Sequence, residues 1–271
     1  MIALEENFVN DAGVASLATA APSRAGARTR WAISLMLLLA VTTAFFDRIN
    51  IAVLFTNAQF HADIGVSDPT RMGLLMTAFV LPYGISAVLF SIAGDYFGPR
   101  RTLSGIAAIL AATMAVMGAL SSYPLLLLGR VTIGITEGPQ FGTAIATVKR
   151  WYAPREQAFG NAIWTIGSPL GSAVGFPLVT FLVTQFGWRA SFYVLAALNA
   201  LIVLPTVWLF LRDRPPGSSA APSQSAEEQL PFSEAILIVI RDPRFWLLMI
   251  YNCGVLIYLW GLNSWLSAYL Q

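Results

Sequence analysis

The chain has 271 residues, of which 56% are hydrophobic and 11% are charged, and its mean hydropathy is +0.67. A soluble domain of this length cannot hide so much apolar surface in one core, so the composition predicts an all-α, polytopic membrane protein. The net charge of +2 is small, and we expect no nucleic-acid partner. The single cysteine, Cys253, and the single histidine, His61, exclude a disulfide framework and a Cys/His metal cluster.

Residues 1–30 are rich in Ala, Ser and Thr, and their apolar residues have no sustained period, which predicts a disordered cytoplasmic tail. A cleaved signal is not expected, because the apolar run that follows contains charges. Seven apolar runs of about bilayer length then predict seven crossings. They are 31–55, 72–93, 103–120, 125–148, 158–183, 190–211 and 245–270.

Residues 31–211 are therefore expected to form a six-helix bundle, and residues 245–271 a seventh helix. The connection 212–244 has the Ser/Ala/Pro/Gln composition of a linker on the cytoplasmic side. Within it, 232–240 is compatible with either a short amphipathic helix or a plain spacer. The six helices also divide into three plus three, since predicted helices 1 and 4 carry all the buried charges, and transporters commonly arise from such repeats.

Basic residues are unequally shared between the two sets of alternate loops. Positive residues favour the cytoplasmic side, so the asymmetry places the amino terminus in the cytoplasm and the chain in the inner membrane. Twelve basic residues lie on one side and two on the other: Arg24, Arg28, Arg30, Arg100, Arg101, Lys149, Arg150, Arg155, Arg212, Arg214, Arg241 and Arg244 against Arg71 and Arg189.

Predicted helix 1 contains Asp47, Arg48 and Asn50 in a run that is otherwise apolar. An ionised side chain at membrane depth costs about 3 kcal/mol on insertion scales, so it must face protein or a wet cavity. The guanidinium of Arg48 matches a carboxylate, which makes it the candidate for binding an anion. Asp47 either neutralises Arg48, orients it or exchanges a proton, and a purely structural pairing of the two is the alternative.

Predicted helix 4 contains Arg130 and Glu137. Glu137 is a candidate proton carrier and a candidate partner for Arg48, because burial and a nearby arginine have opposing effects on a carboxyl group. Arg130 lies seven residues before Glu137, about 10 Å along the helix, so a tight direct pair is not expected. Structural ion pairing is the alternative for both residues. Pro139 is expected to free a backbone carbonyl one turn earlier.

Three further residues are candidates for lining the same cavity: Tyr83, Trp164 and Ser168. The alternative is that Tyr83 and Trp164 serve in packing or as interface anchors, which are common roles of aromatic residues in membrane helices. Gly167, Gly171 and Gly175 form overlapping small-xxx-small steps, which are typical of close helix packing.

The sequence contains no Walker-type loop, paired histidines or nucleophile elbow, so we do not expect an enzyme. Asp95, Gly98, Arg100 and Arg101 lie at the cytoplasmic end of predicted helix 2. One acid and two bases at that position predict a latch between helices.

These motifs resemble the major facilitator superfamily, and more narrowly its anion:cation symporter family of hexuronate, galactonate, glucarate and tartrate transporters. The resemblance rests on Asp47-Arg48-Ile49-Asn50, on Gly129-Arg130 through Glu137-Gly138-Pro139, and on 95–101. It implies that Arg48 binds a substrate carboxylate beside Tyr83, and that Asp47 and Glu137 exchange protons under the influence of Arg130. Protons are then the coupling ion, and no other cofactor is expected.

The resemblance also implies a fold of twelve helices, of which this chain holds seven. We therefore expect a fragment of a longer transporter, or a chain that assembles with a second copy or a separate carboxy-terminal half. The glycine face of predicted helix 5 would then be left toward lipid. The leading hypothesis is proton-coupled symport of a small organic anion, such as a sugar acid. The alternative is a non-transporting membrane subunit or sensor.

Overall fold

A computed structural model describes residues 24–91, 93–213 and 240–269, with the side chains of 24–28 and 259–269 left out. The predicted all-α class is confirmed, since the described residues form helices and turns and contain no strand. The α-helices are α1 (Arg24–Leu54), α2 (Ala58–Ile64), α3 (Pro69–Leu89), α4 (Ala93–Tyr96), α5 (Pro99–Ala119), α6 (Tyr123–Glu137), α7 (Pro139–Trp151), α8 (Gln157–Thr165), α9 (Gly167–Phe186), α10 (Trp188–Leu198), α11 (Leu204–Phe210) and α12 (Pro243–Tyr269).

Helix α1 begins at Arg24, so the predicted boundary at residue 30 is wrong: the last residues of the predicted tail already belong to the first helix. Residues 1–23 lie outside the described part of the chain. So does most of the predicted linker, including all but Ile240 of the segment for which an amphipathic helix was considered. Helix α12 corresponds to the predicted seventh crossing, and its described side chains are almost all exposed.

Three of the predicted crossings are interrupted helices. The fourth is α6 followed by α7, the fifth joins a 3-10 turn (Pro154–Glu156) to α8 and α9, and the sixth joins α10 to α11 through a π-helical segment (Asn199–Val203). Among the described residues, five segments are long and apolar enough to cross a membrane: Thr29–Leu54, Pro69–Leu89, Pro99–Ala119, Pro154–Phe186 and Trp188–Phe210. The fourth crossing is split into pieces of 15 and 13 residues, each short of a bilayer span.

Proline and glycine set many of the helix boundaries. Helices α3, α5 and α7 begin with proline, whose fixed φ suits the first turn and whose missing N–H would be unpaired there anyway. The tight connections before α5 and α10 use Gly98 and Gly187, with φ of 85° and 82°. Side chains other than hydrogen disfavour that region, so these turns favour glycine.

The glycine face of predicted helix 5 packs inside the bundle, and the expectation that it is left toward lipid is wrong. It lies against α1: a Cβ on Gly167 would be 2.9 Å from the Leu38 carbonyl oxygen, and one on Gly171 would be 2.5 Å from the Phe45 Cβ. The absence of side chains therefore lets α9 approach α1 closely. In the same way α3 packs along α6, so α1 and α6 each have a closely packed partner.

Candidate functional site

The centre of the bundle holds an ion pair between α1 and α6. The Arg48 Nε donates to Glu137 Oε2 at 2.7 Å. The Arg48 side chain is 4% exposed and that of Glu137 is 0% exposed, so protein encloses both. The predicted partnership is present, but the two groups contact each other directly instead of facing an open wet pocket. An anion can reach the Arg48 guanidinium only by displacing or joining Glu137.

Aromatic rings enclose the guanidinium of Arg48. Its Cζ lies 4.6 Å from the ring centroid of Tyr83, 4.7 Å from that of Phe45, 5.2 Å from that of Phe79 and 5.8 Å from that of Phe141. Ring faces attract a cation, and the attraction grows when water is excluded. The rings therefore stabilise a charged arginine in a place from which protein excludes water.

Close approach of α3 to α6 positions Glu137. A Cβ on Gly134 would clash with the Phe79 carbonyl oxygen, and one on Gly138 would lie 2.5 Å from the Ser86 Oγ. Pro139 cannot donate to the Ile135 carbonyl, as predicted, and Ser86 replaces the missing donor with an Oγ–O distance of 2.5 Å. The helix interruption just after Glu137 is thereby hydrogen-bonded to α3.

Arg130 is buried at the middle of α6 and lies away from Glu137, in agreement with the spacing. Its Nε donates to the Leu75 carbonyl at 3.1 Å, and its Cζ lies 4.7 Å from the Phe79 ring centroid. Among the ion pairs of the described residues, none includes Arg130. Phe79 thus lies between the two buried arginines and contacts both. Arg130 adds positive charge to the site without binding either carboxylate directly.

Asp47 points to a different part of the bundle from Arg48. Its Oδ2 accepts a hydrogen bond from Asn199 Nδ2 at 3.1 Å, and its Oδ1 has no hydrogen-bond partner in the described structure. The alternative in which Asp47 and Arg48 satisfy each other is therefore wrong for this conformation. Asn199 was missed, although it is the one amide in the apolar run 190–211 and that was its signal.

The other predicted lining residues lie at different distances from Arg48. Tyr83 contacts it directly, as described above. Trp164 is one layer further out, because it packs on Phe141 with a centroid distance of 5.4 Å. Ser168 is half-buried beside Gly167, which packs at Leu38, about three turns before Arg48 on α1. The roles of all three in binding remain predictions.

The predicted latch motif of Asp95, Gly98, Arg100 and Arg101 does connect separate helices. Asp95 pairs with Arg150 of α7 at 2.9 Å, and neither of the two predicted bases is its partner. The backbone N–H of Arg100 donates to Asp213 at 2.8 Å, and a Cβ on Gly98 would lie 2.8 Å from the same carboxylate. Arg101 is exposed. The motif therefore joins the α3–α5 connection to α7 and to the end of α11.

Titratable groups elsewhere do not form a metal site: among the described residues, no three His, Cys, Asp or Glu side chains come together in a way that could hold an ion.

A bundle of membrane-crossing helices with enclosed charges on equivalent helices is the architecture of a membrane transporter. A family model, described as the Major Facilitator Superfamily, matches residues 36–271, and the chain belongs to that family. The predicted family resemblance is confirmed. The fold is similar to the crystal structure of a bacterial homolog of the human lysosomal transporter Spinster, inward-facing and unoccupied, with a TM-score of 0.71 at 23% identity over 89% of this chain and 55% of that one.

Curated relatives are transporters, not enzymes. The "Probable sulfoacetate transporter" of Cupriavidus necator is 29% identical, covering 74% of this chain and 46% of the relative. The "Hexuronate transporter" of Bacillus subtilis is 27% identical, covering 72% and 46%. The "Probable L-galactonate transporter" of Escherichia coli is 24% identical, covering 88% and 53%. The chain thus spans about half the length of these relatives, all of which are named for organic anions.

Proposed function

We propose that this chain supplies the amino-terminal half, and the first helix of the second half, of a proton-coupled symporter for a small organic anion such as a sugar acid. The enclosed Arg48–Glu137 pair carries the proposal. In it the guanidinium of Arg48, a group suited to binding carboxylates, is bound to the titratable carboxyl group of Glu137. A second half, from a longer chain or from another copy, would complete the cavity. The loop charges favour an inner-membrane location with a cytoplasmic amino terminus.

Competition for Arg48 provides the coupling step. When Glu137 is ionised it holds the guanidinium and excludes a second carboxylate. When Glu137 takes a proton, its charge-assisted bond to Arg48 weakens, and an incoming carboxylate becomes the better partner. The aromatic rings around Arg48 keep it desolvated and charged throughout. Binding of the anion and binding of the proton therefore favour each other.

Charge balance sets the stoichiometry. With Asp47, Arg48, Arg130 and Glu137 all ionised, the two positive and two negative groups sum to zero. A monoanion alone would leave a buried negative charge, and a proton on Glu137 restores neutrality. Moving one uncompensated anion into a cell with a negative interior costs about 2.3 kcal/mol per 100 mV of membrane potential. A second proton on Asp47 would make the loaded site positive, so that the potential assists uptake.

Vesicles that contain the full-length transporter including this chain provide the test. Uptake of labelled glucuronate, L-galactonate and sulfoacetate is measured with and without an inward proton gradient. Glu137→Gln mimics the protonated state, so we expect it to abolish gradient-driven accumulation but to retain exchange of internal for external anion. The matched control is Glu156→Gln, since Glu156 is also ion-paired, with Arg30, but lies at the surface. That variant should accumulate substrate normally.

Arg48→Met should abolish both accumulation and exchange, because it removes the anion's partner. Gradient-driven accumulation that survives Glu137→Gln would contradict the coupling role. Uptake that survives Arg48→Met would contradict the site itself. Binding of an anion by the wild-type protein without any flux would favour the alternative, a non-transporting sensor that retains the fold.

A further inference from the structure

A second polar cluster lies between α1 and the helix that contains α10 and α11. Its members are Asn50, Ser191 and Asn199, and none is more than 1% exposed. The Ser191 Oγ donates to Asn50 Oδ1 at 2.7 Å, and the Asn199 amide bonds to Asp47. Polar side chains at membrane depth are costly and commonly mark functional positions. The coupling step proposed above does not use this cluster.

Two hydrogen bonds fix the orientation of the Asn199 amide. Its Nδ2 donates to Asp47 Oδ2 and to the Leu195 carbonyl, both at 3.1 Å. The nitrogen therefore faces the carboxylate, and the amide is bonded to its own helix at the same time. The second oxygen of Asp47, Oδ1, is fully buried and without a hydrogen-bond partner. An ionised carboxylate with one stabilised and one unpaired oxygen is poised to accept a proton on the unpaired oxygen.

The helix deforms at Asn199. The segment Asn199–Val203 is π-helical, and the Leu204 N–H donates to the Asn199 carbonyl five residues earlier. Pro205 follows, and because it has no N–H it cannot serve the carbonyl of Leu201 as a regular helix would require. π-helical turns occur frequently at functional sites. The deformation thus coincides with the residue that contacts the buried acid.

Asn199 is the neutral donor in an otherwise charged environment. Arg48 on the same helix and Arg130 and Glu137 on α6 act on Asp47 through their charges. Helix α9, which packs along α1, contains no ionisable side chain, and those of α10 and α5 are Arg189, the exposed Tyr193, Arg100 and Arg101. The charges of α5 and α10 lie at helix starts. On the side of Asp47 that faces α10 and α11, Asn199 is therefore the group whose hydrogen bond favours the ionised form of Asp47 over the protonated form.

We propose that Asn199 is a positioning residue that sets the pH at which Asp47 accepts a proton and directs that proton to Oδ1. This inference rests on the proposed function, in which Asp47 carries the second proton. A hydronium ion transfers its proton to Oδ1: an O–H bond forms there, one O–H bond of the hydronium breaks to leave water, and the carboxylate becomes a neutral acid. The Asn199 N–H stabilises the ionised form, because it donates to a full negative charge. Protonation must therefore overcome that bond.

Infrared titration of the full-length protein in vesicles tests the inference without a substrate. The carboxyl band that Asp47→Asn removes is assigned to Asp47. In Asn199→Leu the donor is lost, and we expect the midpoint of that band to move up by about one pH unit. Asn199→Asp adds a second acid that shares the proton, and should also move the midpoint upward. Ser191→Ala is the matched control, since it breaks a bond between the same helices that ends on a neutral amide. Its midpoint should stay unchanged.

An unmoved midpoint in both Asn199 variants would overturn the inference, as would a spectrum in which Asp47→Asn removes no titrating band. If Asn199→Leu fails to fold, Asn199→Asp carries the test, because it keeps the size and polarity of the side chain. Failure of the proposed function is a separate result. In that case the vesicles show no proton-driven uptake while the Asp47 band still responds to Asn199.

Discussion

Substitution of Ser86 tests how the helix interruption at Gly138 and Pro139 is stabilised. The Ser86 hydroxyl donates to the Ile135 carbonyl, which Pro139 leaves without its helical donor. Ser86→Ala removes that donor. Because Ser86 is only 2% exposed, water cannot reach the Ile135 carbonyl and replace the lost hydrogen bond. Leaving a buried carbonyl unpaired costs about 1 to 3 kcal/mol, and hydrogen bonds in membrane proteins contribute up to about 1.7 kcal/mol. We expect a loss of about 1 to 2 kcal/mol of unfolding free energy.

A double-mutant cycle with Pro139→Ala separates this bond from general packing. Gly138 has φ of −49° and ψ of −50°, so the backbone already has helical geometry through the interruption. An N–H at position 139 would therefore point at the Ile135 carbonyl and take over its hydrogen bond. In the Pro139→Ala background, Ser86→Ala should cost less than about 0.5 kcal/mol. The expected coupling energy is about 1 kcal/mol.

Reversible unfolding in mixed micelles of dodecyl maltoside and dodecyl sulfate measures these free energies. Ser91→Ala is the control, since its hydroxyl donates to the Val88 carbonyl of the preceding turn and the residue is only partly buried. It should have a small effect in both backgrounds. Additive effects of Ser86→Ala and Pro139→Ala, with no coupling, would refute the assignment of Ser86 as the replacement donor.

The remaining predictions concern the packing of α9 on α1 and the side-chain contact between α2 and α10. Gly171→Leu should destabilise the protein by at least about 1 to 3 kcal/mol in the same unfolding assay, because a side chain there meets α1. Gly105→Ala is the control and should not destabilise it, because the space around its Cβ is open. Equal effects of the two substitutions would contradict the close α1–α9 contact. Hydrogen bonds from Arg189 and Trp188 lower the pKa of Asp63 from its ordinary value. A lowered pKa stabilises the folded state above the ordinary pKa of about 3.9, and that contribution is lost as pH falls through the lower folded value. The thermal unfolding midpoint of Asp63→Asn should therefore stay below that of wild type from pH 8 to 5, and the difference should shrink below pH 4; a difference that is already gone at pH 6 would contradict the lowered pKa.

The buried charges could be located from the sequence because the bilayer makes them conspicuous. Asp47, Arg48, Arg130 and Glu137 interrupt apolar runs, and hydrocarbon tolerates ionised groups only when they have partners. The same signal marked Asn199, which was overlooked because a single amide is less costly than a charge. Phe79 and Phe141 gave no signal of this kind, since aromatic residues are common in membrane helices.

Pairings depended on helix rotation, which the sequence leaves open. Arg48 bonds to Glu137 and Asp47 to Asn199, although Asp47 and Arg48 are adjacent in sequence. Neighbouring residues on a helix point about 100° apart, so they contact different helices. The glycine face of α9 was assigned to the wrong surroundings for a similar reason: its spacing predicts close packing but does not identify the partner.

The sequence by itself determined the helical class, the approximate crossings and the identity of the buried charged groups, because length, apolarity and charge at membrane depth are local properties of the chain. Only the tertiary structure decided which acid contacts which donor, where helices 5 and 6 are interrupted and which helix covers the glycines. Those outcomes depend on the rotation and approach of whole helices, which many weak packing contacts settle together.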